Sequence, residues 1–149
     1  MSNTLQTGHV GLNVTDLEGS SNFYRQVFGF EVLNQSQEEG RRFVFLGNEK
    51  SLVLTLWEQS HGYFAKSNPG LHHLSFMVDT IDEVEQAKTR LEGLGAHFIY
   101  EGIVPHAEGA ESGGIFFEDP DGIRLEIFSP AGASAQPAPV VGGPSCGFF

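Results

Sequence analysis

Gly70-Leu71-His72-His73-Leu74-Ser75-Phe76-Met77-Val78 reads as a β-strand, and its setting has a counterpart near the N-terminus, Gly8-His9-Val10-Gly11-Leu12-Asn13-Val14. Each stretch has a histidine, then alternating residues, then a valine five positions on, followed by an acidic turn and a helical pattern. His73 lies 64 residues after His9, and Val78 lies 64 after Val14. The two strands are therefore the equivalent first elements of a repeated unit, and a residue from each could face a common cavity. His73, not His72, shares the register of His9 relative to the following valine.

Working outward from His9, alternation puts Val10, Leu12 and Val14 on one strand face. Thr15 or Asp16 can cap a helix in which Leu17, Ser20, Tyr24, Val27 and Phe28 recur at helical spacing until Gly29 stops it. Strands over 30–35, 41–46 and 51–58 follow, separated by polar or glycine-bearing turns. This unit is βαβββ. The second copy places Leu74, Phe76 and Val78 on one face, with His73, Ser75 and Met77 on the other. Asp79 or Thr80 can cap a helix with Ile81, Val84, Lys88, Leu91 and Leu94 on one stripe, ended by Gly95. Strands then fit 97–100, 114–118 and 123–128, with Asp119-Pro120-Asp121-Gly122 suited to a tight reversal. The second unit is also βαβββ, longer by about nine residues that fall in 102–112, and a loop of that length in a compact domain is more often functional than a hairpin needs.

The fold class expected is α+β, with two βαβββ modules forming a curved, open-barrel mixed sheet around a central cavity. Module one covers about 5–60 and module two about 70–130, within one domain of 1–130. Residues 131–149 are rich in Ala, Gly, Pro and Ser without periodicity, which reads as a mobile spacer, although the aromatic pair Phe148-Phe149 could dock on the body or on a partner.

Composition limits the partners. A formal net charge of −11 opposes phosphate backbones and anionic membrane surfaces, so nucleic acid and membrane are not expected and a small molecule is. No apolar run is long enough to span a bilayer, and residues 1–7 lack signal-peptide character. One cysteine, Cys146, excludes an internal disulfide and fits a reducing cytoplasm.

On the last strand Arg124, Glu126 and Phe128 project together, opposite Ile123, Leu125 and Ile127. If the sheet curls, Glu126 can converge with His9 and His73 on a cavity wall, and two imidazoles with one carboxylate suit a divalent metal that keeps open positions. Taken singly, each histidine also fits a polar strand end, and Glu126 a solvated sheet face. His61 and His106 are candidates for general acid or base, since an imidazole titrates near neutrality. Arg124 could hold an anionic substrate or pair with an acid, and Tyr100 could line a pocket or pack in the core. His72 should face opposite to His73, and His97 should begin an exposed strand.

The paired βαβββ units, the His-bearing first strands, the Phe23-Tyr24 to Phe28-Gly29-Phe30 helix exit and Asp119-Pro120-Asp121-Gly122-Ile123-Arg124-Leu125-Glu126 together resemble the vicinal oxygen chelate superfamily over about residues 5–130. That superfamily includes glyoxalase I, fosfomycin and bleomycin resistance proteins and extradiol ring-cleaving dioxygenases. The resemblance implies a metal held by His9, His73 and Glu126, with Fe(II) or Mn(II) favoured over Ni(II) or Zn(II), and a small substrate chelated through vicinal oxygens. It also implies a homodimer, in which modules pair within one chain or between two.

Departures narrow the reaction. Where glyoxalase I carries a second glutamate, this chain has Val53, so four protein ligands are not expected. The ring-cleaving enzymes place a substrate-holding tyrosine ten residues before the glutamate, and here Phe116 stands there. Those enzymes also use an upstream histidine, close to which His106 lies. The resemblance thus implies a metal-dependent dioxygenase, lyase or transferase, with ring cleavage slightly favoured. The alternatives are a glyoxalase- or fosfomycin-transferase-like Lewis-acid enzyme and a metal-free binding protein of the bleomycin-resistance type.

Overall fold

Strand β1 (Val10–Val14) is short because its buried side chains, Leu12 and Val14, alternate with exposed Gly11 and Asn13, and because Asp16 then takes over as a helix cap. The Asp16 carboxylate accepts from the Gly19 N–H and opens α1 (Leu17–Phe28), and Gly29 closes the helix in the left-handed region at φ 72°. Leu17, Phe23, Tyr24 and Val27 form its buried face. In this computed structural model, which describes residues 4–148, the chain divides into two compact units at Tyr63–Phe64.

The first unit continues with β2 (Glu31–Ser36), β3 (Phe43–Asn48) and β4 (Ser51–Glu58). Its sheet has the order β1-β4-β3-β2, with β1 parallel to β4 and the remaining pairs antiparallel. α1 packs on β3 and β4, where Val44, Leu46, Leu54 and Leu56 are buried. Trp57 lies in a half-buried aromatic cluster with Phe43 and Phe45, at ring separations of 5.3 and 5.7 Å.

The second unit repeats the plan. β5 (Leu74–Met77) leads to α2 (Ile81–Gly93), β6 (Val104–Pro105), β7 (Gly113–Glu118) and β8 (Arg124–Ser129), ordered β5-β8-β7-β6, with β5 parallel to β8. Thr80 caps α2 by accepting from the Glu83 N–H. The helix lies on β7 and β8, burying Val84, Ala87 and Leu91 near Ile115, Phe117, Leu125 and Ile127. Asp119 makes the β7–β8 turn by accepting from the N–H groups of Asp121 and Ile123, while Gly122 supplies φ 86°. Both units are βαβββ modules, so the described residues form an α+β fold with two α-helices and two mixed four-stranded sheets.

Several boundaries differ from the sequence reading for physical reasons. Residues 97–100 do not form a strand. They make the isolated bridge Phe98–Phe117 and irregular bonds, including Ile99 N–H to Phe116 O at 2.8 Å. The edge position of β6 is filled instead from within the expected loop, because Val104 and Pro105 pair with Gly114 and Gly113. Glycines are required there, since a Cβ on Gly113 would collide with the Val104 carbonyl oxygen of β6 and one on Gly114 with the Ile127 carbonyl oxygen of β8. On α2, Ala87 replaces Lys88 on the buried face and Leu94 is exposed, while Lys88 reaches Glu92 at 3.6 Å. The segment after residue 130 is packed rather than free at two points, Ala133 and Ser145, both fully buried. The expectation for Phe149 lies outside the described residues.

Candidate metal-binding and substrate face

In the second unit, strand alternation gathers polar side chains on the sheet face opposite α2. Ser75 of β5 pairs in register with Glu126 of β8, and Glu126 with Phe116 of β7. Glu126 is 3% exposed, so its carboxylate needs compensation that water does not supply. Ser75 Oγ donates to Oε1 at 2.7 Å, and His106 Nε2 lies 2.5 Å from Oε2. A carboxylate only accepts, so the ring donates from Nε2 in this contact whenever Glu126 is ionised. His106 Nδ1 is then free to accept from the Ser112 hydroxyl at 2.8 Å when the ring is neutral. A backbone pair, His106 N–H to Ser112 O at 2.9 Å, fixes both ends of the loop that presents the imidazole.

His73 immediately precedes β5 and is half-buried, while His72 is exposed. Their Nδ1 atoms are 2.8 Å apart, so one ring donates to the other. Burial is the main influence on His73 and lowers its pKa. Glu126 opposes this, while the positive fields of His72, Arg124 and His106 reinforce it. Arg124 Nε donates to His72 O at 3.0 Å, which ties the end of β8 to the segment leading into β5. Phe116 is fully buried, with Tyr100 edge-on at 5.6 Å. His106 packs against Phe128 at 4.9 Å.

The structure thus brings His73, His106, Arg124, Phe116, Tyr100 and Glu126 to one region of the second unit. His9 and His61 belong to the first unit, where His9 is an exposed residue before β1 and His61 an exposed residue after β4. The donors His73 and Glu126 suit a borderline divalent metal in kind, imidazole with carboxylate. Among the described residues, no three His, Cys, Asp or Glu side chains are gathered tightly enough to hold an ion. Sequence reading did not assign roles to Ser75 and Ser112. Ser75 was detectable as the residue sharing a strand face with His73, whereas Ser112 is placed by the fold of its loop.

Two mixed βαβββ sheets with a histidine–glutamate face define a class of fold, and comparison with known proteins gives its family. A model of the Glyoxalase/Bleomycin resistance protein/Dioxygenase superfamily matches residues 6–127, and the chain belongs to that superfamily. It is 34% identical over 120 residues to a probable trivalent organoarsenical cleaving enzyme of Bacillus subtilis, covering 80% of this chain and 77% of that one. It is 28% identical over 129 residues to catechol-2,3-dioxygenase of the same organism, covering 82% of this chain but only 40% of the relative. Among solved structures, a glyoxylase/bleomycin resistance protein/dioxygenase domain from Frankia sp. EAN1pec superposes with a TM-score of 0.71 at 25% identity, over 85% of this chain and 98% of that chain. Among the described residues no helix is long and apolar enough to cross a membrane.

Proposed function

We propose that the protein is a divalent-metal-dependent enzyme acting on a small substrate with vicinal oxygens, at a site of His9, His73 and Glu126, with ring cleavage of a catechol-type substrate the favoured reaction. The observation that carries this reading is the burial of Glu126 beside the imidazoles of His106 and His73, a carboxyl group placed where a cation would be stabilised. Fe(II) or Mn(II) suits the donor set and the oxygen chemistry, with Ni(II) or Zn(II) the choice for Lewis-acid work. When bound, such a metal would polarise the chelated oxygens and leave positions for a second reactant.

The chain's own residues supply orientation and proton handling. Ser75 fixes one carboxylate oxygen of Glu126, which limits rotation of the ligand. Glu126 orients the His106 ring through Nε2, and a substrate hydroxyl entering that position could exchange a proton with the imidazole. His61 is the second acid–base candidate. Arg124 offers a guanidinium to an anionic oxygen, and Phe116 with Tyr100 forms an aromatic wall.

The catechol dioxygenase relative supports the ring-cleaving reading. Phe116 supports a second one, Lewis-acid chemistry of the glyoxalase type, because phenylalanine cannot donate a hydrogen bond to a ring hydroxyl. A trivalent arsenical is a softer fit. Arsenic(III) favours several thiolates, and the 149 residues contain one cysteine. We expect a homodimer in the cytoplasm. Aerobic incubation of the Fe(II)-loaded protein with catechol tests the reaction. A yellow ring-opened product establishes cleavage, and its absence alongside isomerisation of a hemithioacetal establishes the Lewis-acid reading.

A further inference from the structure

Phe148 lies on the same face as the proposed site. Its ring stacks nearly parallel on His72 at 5.4 Å and stands edge-on to His73 at 5.6 Å and to Phe116 at 5.4 Å. Tyr100 lies at 6.0 Å, and the Arg124 guanidinium sits over the ring face at 4.8 Å. The three residues named above as substrate-binding, Arg124, Phe116 and Tyr100, therefore all contact this one side chain.

The chain reaches that place from a buried anchor. Ser145 donates its Oγ to Pro105 O at 2.5 Å and its N–H to His106 O at 2.8 Å, and its carbonyl accepts from the Tyr100 hydroxyl at 2.6 Å. A single 3-10 turn, Ser145–Gly147, then carries Phe148 onto the face. Between the two buried anchors, Ala133 and Ser145, the span is mostly exposed and rich in proline and glycine, and is held by the Gly142 N–H to Glu108 Oε1 at 3.1 Å.

The geometry points to Phe148 as an intramolecular occupant of a ring-binding seat, which a planar aromatic ligand must displace; this rests on the site proposed above. Three features distinguish an occupant from a permanent wall. Phe148 remains half-exposed, unlike the fully buried Phe116. Its backbone is in the left-handed region at φ 56°, which a non-glycine residue adopts at a cost that release removes. Its contact with the Arg124 guanidinium is one that any aromatic ring reproduces and an anionic ring improves.

A seated strap lowers apparent affinity by the fraction of molecules in which the seat is open, so a fivefold to tenfold effect corresponds to a seat filled about 80 to 90% of the time. The test uses the metal-supplemented full chain and 4-nitrocatechol, followed by its absorbance change. Phe148→Ala should bind about fivefold or more tightly than wild type, and Phe148→Leu, which keeps apolar bulk if the alanine variant folds poorly, should fall between them. Saturating 4-nitrocatechol should also speed amide hydrogen exchange in the peptide containing Ser145 in wild type. Equal or weaker binding by both variants, slower exchange on binding, or no binding by any of the proteins overturns the proposal. Metal content measured on the same samples separates the two readings. Metal retained without a strap effect sinks only the occupant, and a strap effect without retained metal sinks only the metal site.

Discussion

The Nε2 of His106 and the Oε2 of Glu126 lie 2.5 Å apart, joining the loop before β7 to the middle of β8 across 20 residues of sequence. This contact makes a histidine from an irregular segment part of a strand-borne carboxylate site. Removing the ring leaves a buried acceptor with one partner fewer. His106→Ala should therefore lower stability by about 1–3 kcal/mol, read from urea denaturation. A loss indistinguishable from zero would mean that water replaces the imidazole without cost.

Ser75 holds the other oxygen of the same carboxylate. Ser75→Ala should cost about 1 kcal/mol and weaken retained metal by about tenfold, as expected when an outer hydrogen bond to a ligand is removed. Equilibrium dialysis against a metal buffer gives the second number. Unchanged metal affinity would show that Ser75 does not orient Glu126.

Ser112 Oγ lies 2.8 Å from His106 Nδ1 and, with Glu126 at Nε2, fixes the orientation of the ring. Ser112→Ala should leave the fold intact and change the Nδ1 chemical shift of His106 in the metal-free protein, because that nitrogen loses its hydrogen-bond partner. Shifts identical to wild type would place the control of this ring elsewhere.

Tyr100 has its pKa raised above the ordinary 10.0, first by burial and then by the neighbouring Cys146. The folded protein therefore favours the neutral phenol. Its contribution to stability is complete below pH 10 and is lost as pH rises through the higher folded value. In an ultraviolet titration, Tyr100→Phe should remove one late-ionising phenol present in wild type. If the variant keeps it, the late phenol is another tyrosine.

The helices were the most legible part of the sequence. Asp16, Gly29 and Thr80 carry capping chemistry that is local, so α1 and the start of α2 follow from neighbouring residues alone. Ser51–Glu58 was legible for the same reason, as an apolar run bounded by turn residues. β6 was not, because Val104 and Pro105 become a strand only through glycines at 113 and 114 that let another backbone approach. The site was half legible. Alternation puts His73 and Ser75 on one face, as it does Arg124 and Glu126, but the bond from His106 to Glu126 depends on how a loop folds back. The seat of Phe148 was least visible, since a tail of glycine, proline and alanine has no periodicity to mark where it returns. One local signal helps in retrospect, the serine that buries its hydroxyl against Pro105.

The metal content of the protein purified without chelators, measured for wild type and for His9→Ala, His73→Ala and Glu126→Ala, decides whether these three residues hold an ion. Close to one divalent ion per chain is expected in wild type and little in each variant, with the variants still folded by circular dichroism. Wild type without metal, or variants that keep wild-type metal and ligand binding, would contradict the proposed site.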